Sequence, residues 1–215
     1  MMFVDTHEKY TPKSLEDFVF SNEETRELAI AYASGHLKKP LILHGVSGGG
    51  KSLLQKLIPN AIEGREASVR KVKCASLKTA DDIHNLYGRN KQFNKTFTWD
   101  GQRFNYIIIE EFLFTNMRLI DAFKTELDET LGTDLTIIST NRFDKIDDSI
   151  VSRSEVLEIH PCEPHVFFPH AKKMFELEGV EIDDAHLMKC LEVTHSLRAD
   201  NRKYYSAIDA MFRKI

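Results

Sequence analysis

The chain of 215 residues has only three cysteines, Cys74, Cys162 and Cys190, widely spaced, with no CxxC pair and one left over. That pattern argues against a disulfide framework. No apolar run approaches the length of about 20 residues that a membrane span needs. The N-terminus carries Asp5 and Glu8 where a secretory signal would place a basic and then an apolar stretch. The expectation is a soluble, cytoplasmic protein with no membrane partner. Positive charge is not in excess either: 29 Lys and Arg stand against 33 Asp and Glu, a net charge of -4. A generally basic nucleic-acid binder is thereby disfavoured, although a local basic patch is not. Repeats and low-complexity linkers are missing. Cys162, His165 and His170 lack a clear fourth zinc ligand, and their spacing crosses an expected helix start. No Ser/His/Asp set has the context of a hydrolase nucleophile, and His44 reads as the end of a strand. What remains is ample apolar material, 42% of residues, enough to bury one large domain or a core with a small appendage.

The most informative stretch is Leu41 to Leu54, LILHGVSGGGKSLL, which carries Gly-x-x-x-x-Gly-Lys-Ser between a strand-like and a helix-like segment. Gly45, Val46, Ser47, Gly48, Gly49 and Gly50 form a loop whose glycines permit positive φ angles and turn backbone N–H groups inward, against polyphosphate oxygens. Lys51 can reach the β- and γ-phosphates, the Ser52 hydroxyl can ligate Mg²⁺, and Leu53 completes the binding stretch. A plain glycine turn is the alternative. The strand before it and the helix after it favour the phosphate loop.

Two further strands end in polar groups. Tyr106-Ile107-Ile108-Ile109 is a buried-type run closed by Glu110-Glu111, a Walker B candidate in which Glu110 holds the magnesium through water and Glu111 polarises the attacking water. Leu135 to Ser139 is followed by Thr140 and Asn141, whose amide can position the same water or simply cap the strand.

The pattern predicts an α/β fold: a phosphate-loop parallel sheet with flanking helices over residues 1–159, followed by a small helical lid over 160–215. A Ser21/Glu24 capping box is expected to open a helix that stops near Gly35. Strands are expected at Leu41, Val69–Cys74, Tyr106, Leu135 and Val156–Ile159, with helices after Lys51, from Asp81 and from Asn116 to Leu127. Three lid helices follow, over Pro164–Leu177, Asp184–Val193 and Ala199–Lys214. Met117, Ile120, Phe123 and Leu127 share a helical face and read as core, and Cys190 reads as core among apolar positions.

Charge is uneven. Residues 65–103 hold nine Lys/Arg against four Asp/Glu, a balance of +5, and residues 110–148 hold four against ten, a balance of -6. These stretches can attract each other or complement neighbouring subunits, or the basic one can face nucleic acid. Arg89, Lys91, Lys95 and Arg103 interleave with Phe93, Phe97 and Trp99, a mixture that grips phosphates and stacks bases. The same residues also suit a β-hairpin turning at Asp100-Gly101 with its aromatics inward.

With these motifs in place, the chain resembles the AAA+ ATPases, and within them the clamp-loader subunits typified by replication factor C and its phage counterparts. Lys9 to Asp17 looks like the N-terminal segment of that family, which implies that Tyr10, Pro12 and Val19 line an adenine pocket. Asn141 in IISTN matches sensor 1, and Ser152-Arg153-Ser154 resembles the Ser-Arg-Cys motif, which makes Arg153 the arginine finger for a neighbouring subunit's nucleotide. Asp200-Asn201-Arg202-Lys203 resembles the lid segment, making Arg202 sensor 2. The resemblance implies ATP and Mg²⁺ as ligands, and DNA and replication proteins (a clamp or a helicase) as partners. It also implies assembly into a homo- or hetero-oligomer. Glu110 stands where the family has Asp, Thr11 where it has Arg, Ser154 where it has Cys and Ala199 where it has Gly. A collar domain is expected to be absent, leaving the ATPase domains to hold any assembly together. A shorter resemblance, through Thr98-Trp99-Asp100-Gly101, IIIEEF and ISTN, is to superfamily-three viral and plasmid replication helicases. The longer arm of Glu110 and the missing collar also leave room for a nucleotide-dependent switch or adaptor that hydrolyses little.

Overall fold

A computed structural model of the chain describes residues 5–88 and 101–214. Its sheet contains five strands, β1 (Leu41–His44), β2 (Val69–Lys73), β3 (Asn105–Glu110), β4 (Asp134–Thr140) and β5 (Glu155–Glu158), in the order β2-β3-β4-β1-β5. Every pairing is parallel. Strands buried on both faces are rich in apolar residues, and the inner strands are so buried: β4 throughout and β3 from Asn105 to Ile109. β2 lies at an edge, where Arg70, Lys71 and Lys73 keep its free side from becoming a pairing surface. The register aligns His44 with Thr140 and Glu158, and Lys73 with Glu110, so that the strands deliver their polar ends to one carboxyl edge.

Parallel strands require crossovers, and helices supply them: α2 (Glu23–Ala33) precedes β1, α3 (Lys51–Glu63) and α4 (Ala80–Tyr87) follow β1 and β2, and α5 (Met117–Glu129) follows β3. A single turn, α6 (Asp148–Val151), leads into β5. Phe112 and Phe114, just beyond β3, pack on Phe123 of α5 with ring centroids 5.1 and 5.6 Å apart, in a core that also takes Ile120 and Leu127. Met117 departs from expectation and is 59% exposed. It is the first helical residue, and a helical side chain leans back toward the N-terminus, which here carries it past the core. The Ser21 capping box does not form either. The helix starts at Glu23, and the Ser21 hydroxyl makes no hydrogen bond.

By contacts the described residues fall into two units. Glu24–Gly45 with Lys51–Glu158 make the sheet unit; the stretch ending at Glu23, Val46–Gly50 and the stretch from Ile159 onward make the helical unit. Within the latter lie α1 (Thr6–Tyr10), α7 (Pro164–Leu177), α8 (Asp184–Leu197) and α9 (Asn201–Phe212). Stacked pairs Phe175–Phe212 and Phe167–Tyr204, with centroids 4.4 and 4.6 Å apart, sit in its core with Met174, Leu187, Leu191 and Ile208. Each such side chain contributes about 1.5–3 kcal/mol on burial. Helix α1 is tied to α9 where the Thr6 N–H donates to Asp209 (2.9 Å) and its hydroxyl to the Tyr205 carbonyl (3.1 Å). Cys190, expected in the core, is only half-buried, because its position on α8 lies beside the Leu187–Leu191 stripe rather than on it.

Candidate functional site

In the sheet unit, β1 is followed by Gly45 (φ 124°), whose carbonyl accepts a 2.7 Å hydrogen bond from Lys51 Nζ. Lys51 opens α3, a helix of 13 residues, so its ammonium lies where unpaired N–H groups and the helix dipole already favour an anion. Ser52, one residue on, is exposed, and Leu53 is half-buried.

The centre of the loop is crowded. A Cβ on Gly48 (φ 93°) would lie 2.2 Å from the Asp200 carboxyl group, one on Gly49 2.9 Å from the Ile159 carbonyl oxygen, and one on Gly50 (φ 103°) 2.8 Å from the Phe18 ring. A merely flexible turn would not be packed this way: two of these glycines are demanded by backbone angle, and all three by space. Asp200 N-caps α9, accepting from the Arg202 N–H at 3.0 Å. Its carboxylate also takes the Arg202 guanidinium through Nε (3.1 Å) and Nη2 (2.9 Å), and Nη2 donates to Ser47 Oγ at 3.0 Å. Burial pushes the Asp200 carboxyl up, but the Arg202 bonds outweigh that and hold it below the usual carboxylate range. The helical unit thus brings Ser47, Gly48 and Arg202 together.

At the end of β3, Glu110 is largely buried and pairs with Lys71 of β2 at 2.9 Å. Glu111 is exposed, 3.8 Å from Lys73, and has φ 55°, the one positive value among the described non-glycine residues. The bonds that follow hold it there: the Phe112 N–H donates to the Ser139 carbonyl (2.8 Å) and the Leu113 N–H to Cys74 Sγ (3.3 Å). A non-glycine residue in this region costs about 1–3 kcal/mol, and such strain gathers at functional sites. Asn141 is exposed just after β4, where the Thr140 hydroxyl accepts the Arg142 N–H at 3.0 Å.

Arg153 is engaged within its own chain. It forks onto Asp128 of α5 at 2.8 and 3.0 Å and donates from Nη1 to the Ser149 carbonyl at 2.8 Å. In the helical unit, Lys9 and the Tyr10 hydroxyl both donate to Glu178, Tyr10 packs on the helical core with Val19, and Pro12 is half-buried. Of the basic and aromatic series, Arg89, Lys91, Phe93, Lys95, Phe97 and Trp99 lie outside the described residues, as does the Asp100 half of the expected hairpin turn. Arg103 is described, and its guanidinium faces Gly35 and the Ser34 carbonyl (3.4 Å).

Sequence reasoning assigned no role to Lys71, Phe18 or Asp200. Asp200 alone left a signal, as the residue at the helix start two before Arg202.

No family model matches the chain. Among curated proteins it is 24% identical over 182 residues to replication factor C small subunit 1 of Pyrobaculum islandicum, covering 82% of this chain and 53% of that one. It is likewise 24% identical over 174 residues to replication factor C subunit 4 of Encephalitozoon cuniculi, covering 81% and 55%. Among solved structures, a point mutant of Thermotoga maritima RuvB aligns with a TM-score of 0.66 at 18% identity, over 91% of this chain and 63% of the other. Domain III of the Thermotoga maritima replication initiation protein DnaA aligns at 0.61 and 19%, over 97% and 88%. The fold is the AAA+ fold of RuvB and DnaA domain III. The chain spans little more than half the length of the curated relatives it matches, 53% and 55%. Among the described residues, no helix is long and apolar enough to cross a membrane.

Proposed function

We propose that this AAA+ chain binds and hydrolyses ATP to drive a DNA transaction, DNA replication foremost, in the manner of a clamp loader or helicase loader. The observation that supports it best is the loop from Gly45 to Ser52, where an added β-carbon at Gly48, Gly49 or Gly50 would crowd its neighbours, with Lys51 at the head of α3. The donor set suits a magnesium nucleotide: Ser52 and Glu110 offer hard oxygen ligands, and loop N–H groups with Lys51 offer anion donors. Ser52 and Glu110 would hold magnesium, which would neutralise phosphate charge. Gly45 to Leu53 hold the phosphates, and Tyr10 and Pro12 flank the base. Glu111 takes a proton from the attacking water as its oxygen bonds to the γ-phosphorus and the bridging P–O bond to ADP breaks; Asn141 orients that water. Arg202, and Arg153 from a neighbouring subunit, stabilise the transition-state charge. For Arg153 this requires leaving Asp128 on assembly.

The same proposal divides the chain into a core domain over 1–159 and a lid over 160–215, places it in the cytoplasm, and gives it DNA, a clamp or helicase, and further ATPase subunits as partners. Steady-state hydrolysis with and without DNA, comparing the native chain with Glu111→Gln, tests it. Hydrolysis that requires Glu111 is expected, and no hydrolysis under any condition would sink the enzyme. A switch that hydrolyses little is the second reading, favoured by the pairing of Glu110 with Lys71. Nucleotide binding without turnover would select it.

A further inference from the structure

Asp200 has a place in the helical unit that capping alone does not explain. Its side chain is only 3% exposed and is pressed against Gly48 closely enough that no β-carbon fits between them. Three contacts join the start of α9 to the loop: the Asn201 N–H donates to the Gly48 carbonyl (3.2 Å), Arg202 Nη2 donates to Ser47 Oγ (3.0 Å), and the Asp200 carboxyl abuts Gly48. A guanidinium has five N–H donors in a rigid fork. Here Nε and Nη2 serve Asp200 and Ser47, while Nη1 makes no hydrogen bond among the described residues.

Were Arg202 to leave for an incoming anion, a buried carboxylate would be stranded beside negative charge, penalised by desolvation and by repulsion. The geometry therefore favours a pair that stays together. We propose that Asp200 is a positioning residue, which fixes the Arg202 guanidinium against Ser47 and Gly48 so that Nη1 meets a polyphosphate on the loop without Arg202 leaving the carboxylate. The proposal rests on the reading of the loop as a phosphate site.

Equilibrium binding of a fluorescent ATP analogue to the full chain tests it, in a cycle of Asp200→Asn, Arg202→Gln and the double variant. Asparagine is as good an N-cap as aspartate and nearly the same size, so the helix start survives while the charged fork is lost. Asp200→Asn is expected to weaken binding by about tenfold in the native background, the scale of a charge-assisted hydrogen bond, and to cost nothing further once Arg202 is Gln. Asp200→Ser, which also keeps a cap, should behave alike, with unchanged far-UV circular dichroism for all variants. Equal losses in both backgrounds would show a merely structural role and overturn the proposal; so would unchanged or tighter binding in the native background. If the folded native chain binds no analogue, the phosphate site fails and the proposal fails with it. If the native chain binds, Lys51→Ala does not, and Asp200→Asn binds normally, only the role of Asp200 is lost.

Discussion

Gly50→Ala separates two reasons for a loop glycine. Gly50 has φ 103°, and an added β-carbon would sit 2.8 and 2.9 Å from two Phe18 ring atoms. The backbone angle alone costs an L-residue about 1–2 kcal/mol. Ordinary contact begins near 3.4 Å, so the Phe18 ring must also retreat by roughly 0.5 Å; overpacking of this kind costs about 1–3 kcal/mol. The total, about 2–5 kcal/mol, corresponds to a fall in Tm of roughly 4–20 °C for a chain of this size. Gly64 provides the control, since it too has positive φ (63°) but nothing within 4 Å of an added β-carbon. Gly64→Ala should therefore cost only the angle, about 1–2 kcal/mol. Thermal unfolding followed by circular dichroism measures both. Combining Gly50→Ala with Phe18→Leu should recover the steric part and leave the angular part, which appears as a coupling energy of about 1 kcal/mol or more in a double-mutant cycle. A Gly50→Ala variant within 1 °C of the Gly64→Ala variant, or a cycle with no coupling, would refute the crowding of the loop by Phe18.

Glu111→Gly should relieve the positive φ at that residue, raising stability by about 1 kcal/mol in a denaturant titration while abolishing hydrolysis, whereas Glu111→Gln should keep the strain and lose only turnover. Asp128→Asn, which releases an Arg153 lying partly in solvent, should change stability by less than about 1 kcal/mol. Acid should destabilise the helical unit: Asp200 and Glu178 both titrate below their unfolded values, so their stabilisation is complete above the usual carboxylate range and is lost as pH falls through the depressed folded values. Tm measured downward from pH 6 should begin to drop near pH 4, and the Asp200→Asn variant should drop less steeply.

The inner strands were legible because two-sided burial demands apolar residues in succession: Leu41–Leu43, Ile107–Ile109 and Ile137–Ile138 are buried as a parallel sheet requires. The longer helices were legible from period and caps, with errors at their ends, whereas the short α1 and α6 have too few residues to show a period. Ser21 suits an N-cap, yet the helix opens only at Glu23 and the Ser21 hydroxyl makes no hydrogen bond. The nucleotide loop announced itself because glycine spacing is a backbone property that survives in one dimension. Its reasons for being glycine did not, since Phe18, Ile159 and Asp200 reach Gly50, Gly49 and Gly48 from far along the chain. The pairings of Lys71 with Glu110 and of Arg153 with Asp128 were hidden for the same cause. A charge on a strand or a helix end reads as solvated until the register of β2 against β3, or the packing of α5 near α6, decides which carboxylate it meets. Residue types that act through the backbone can therefore be read in order along the chain, whereas those that act through long side chains become readable only once the topology has chosen their partners.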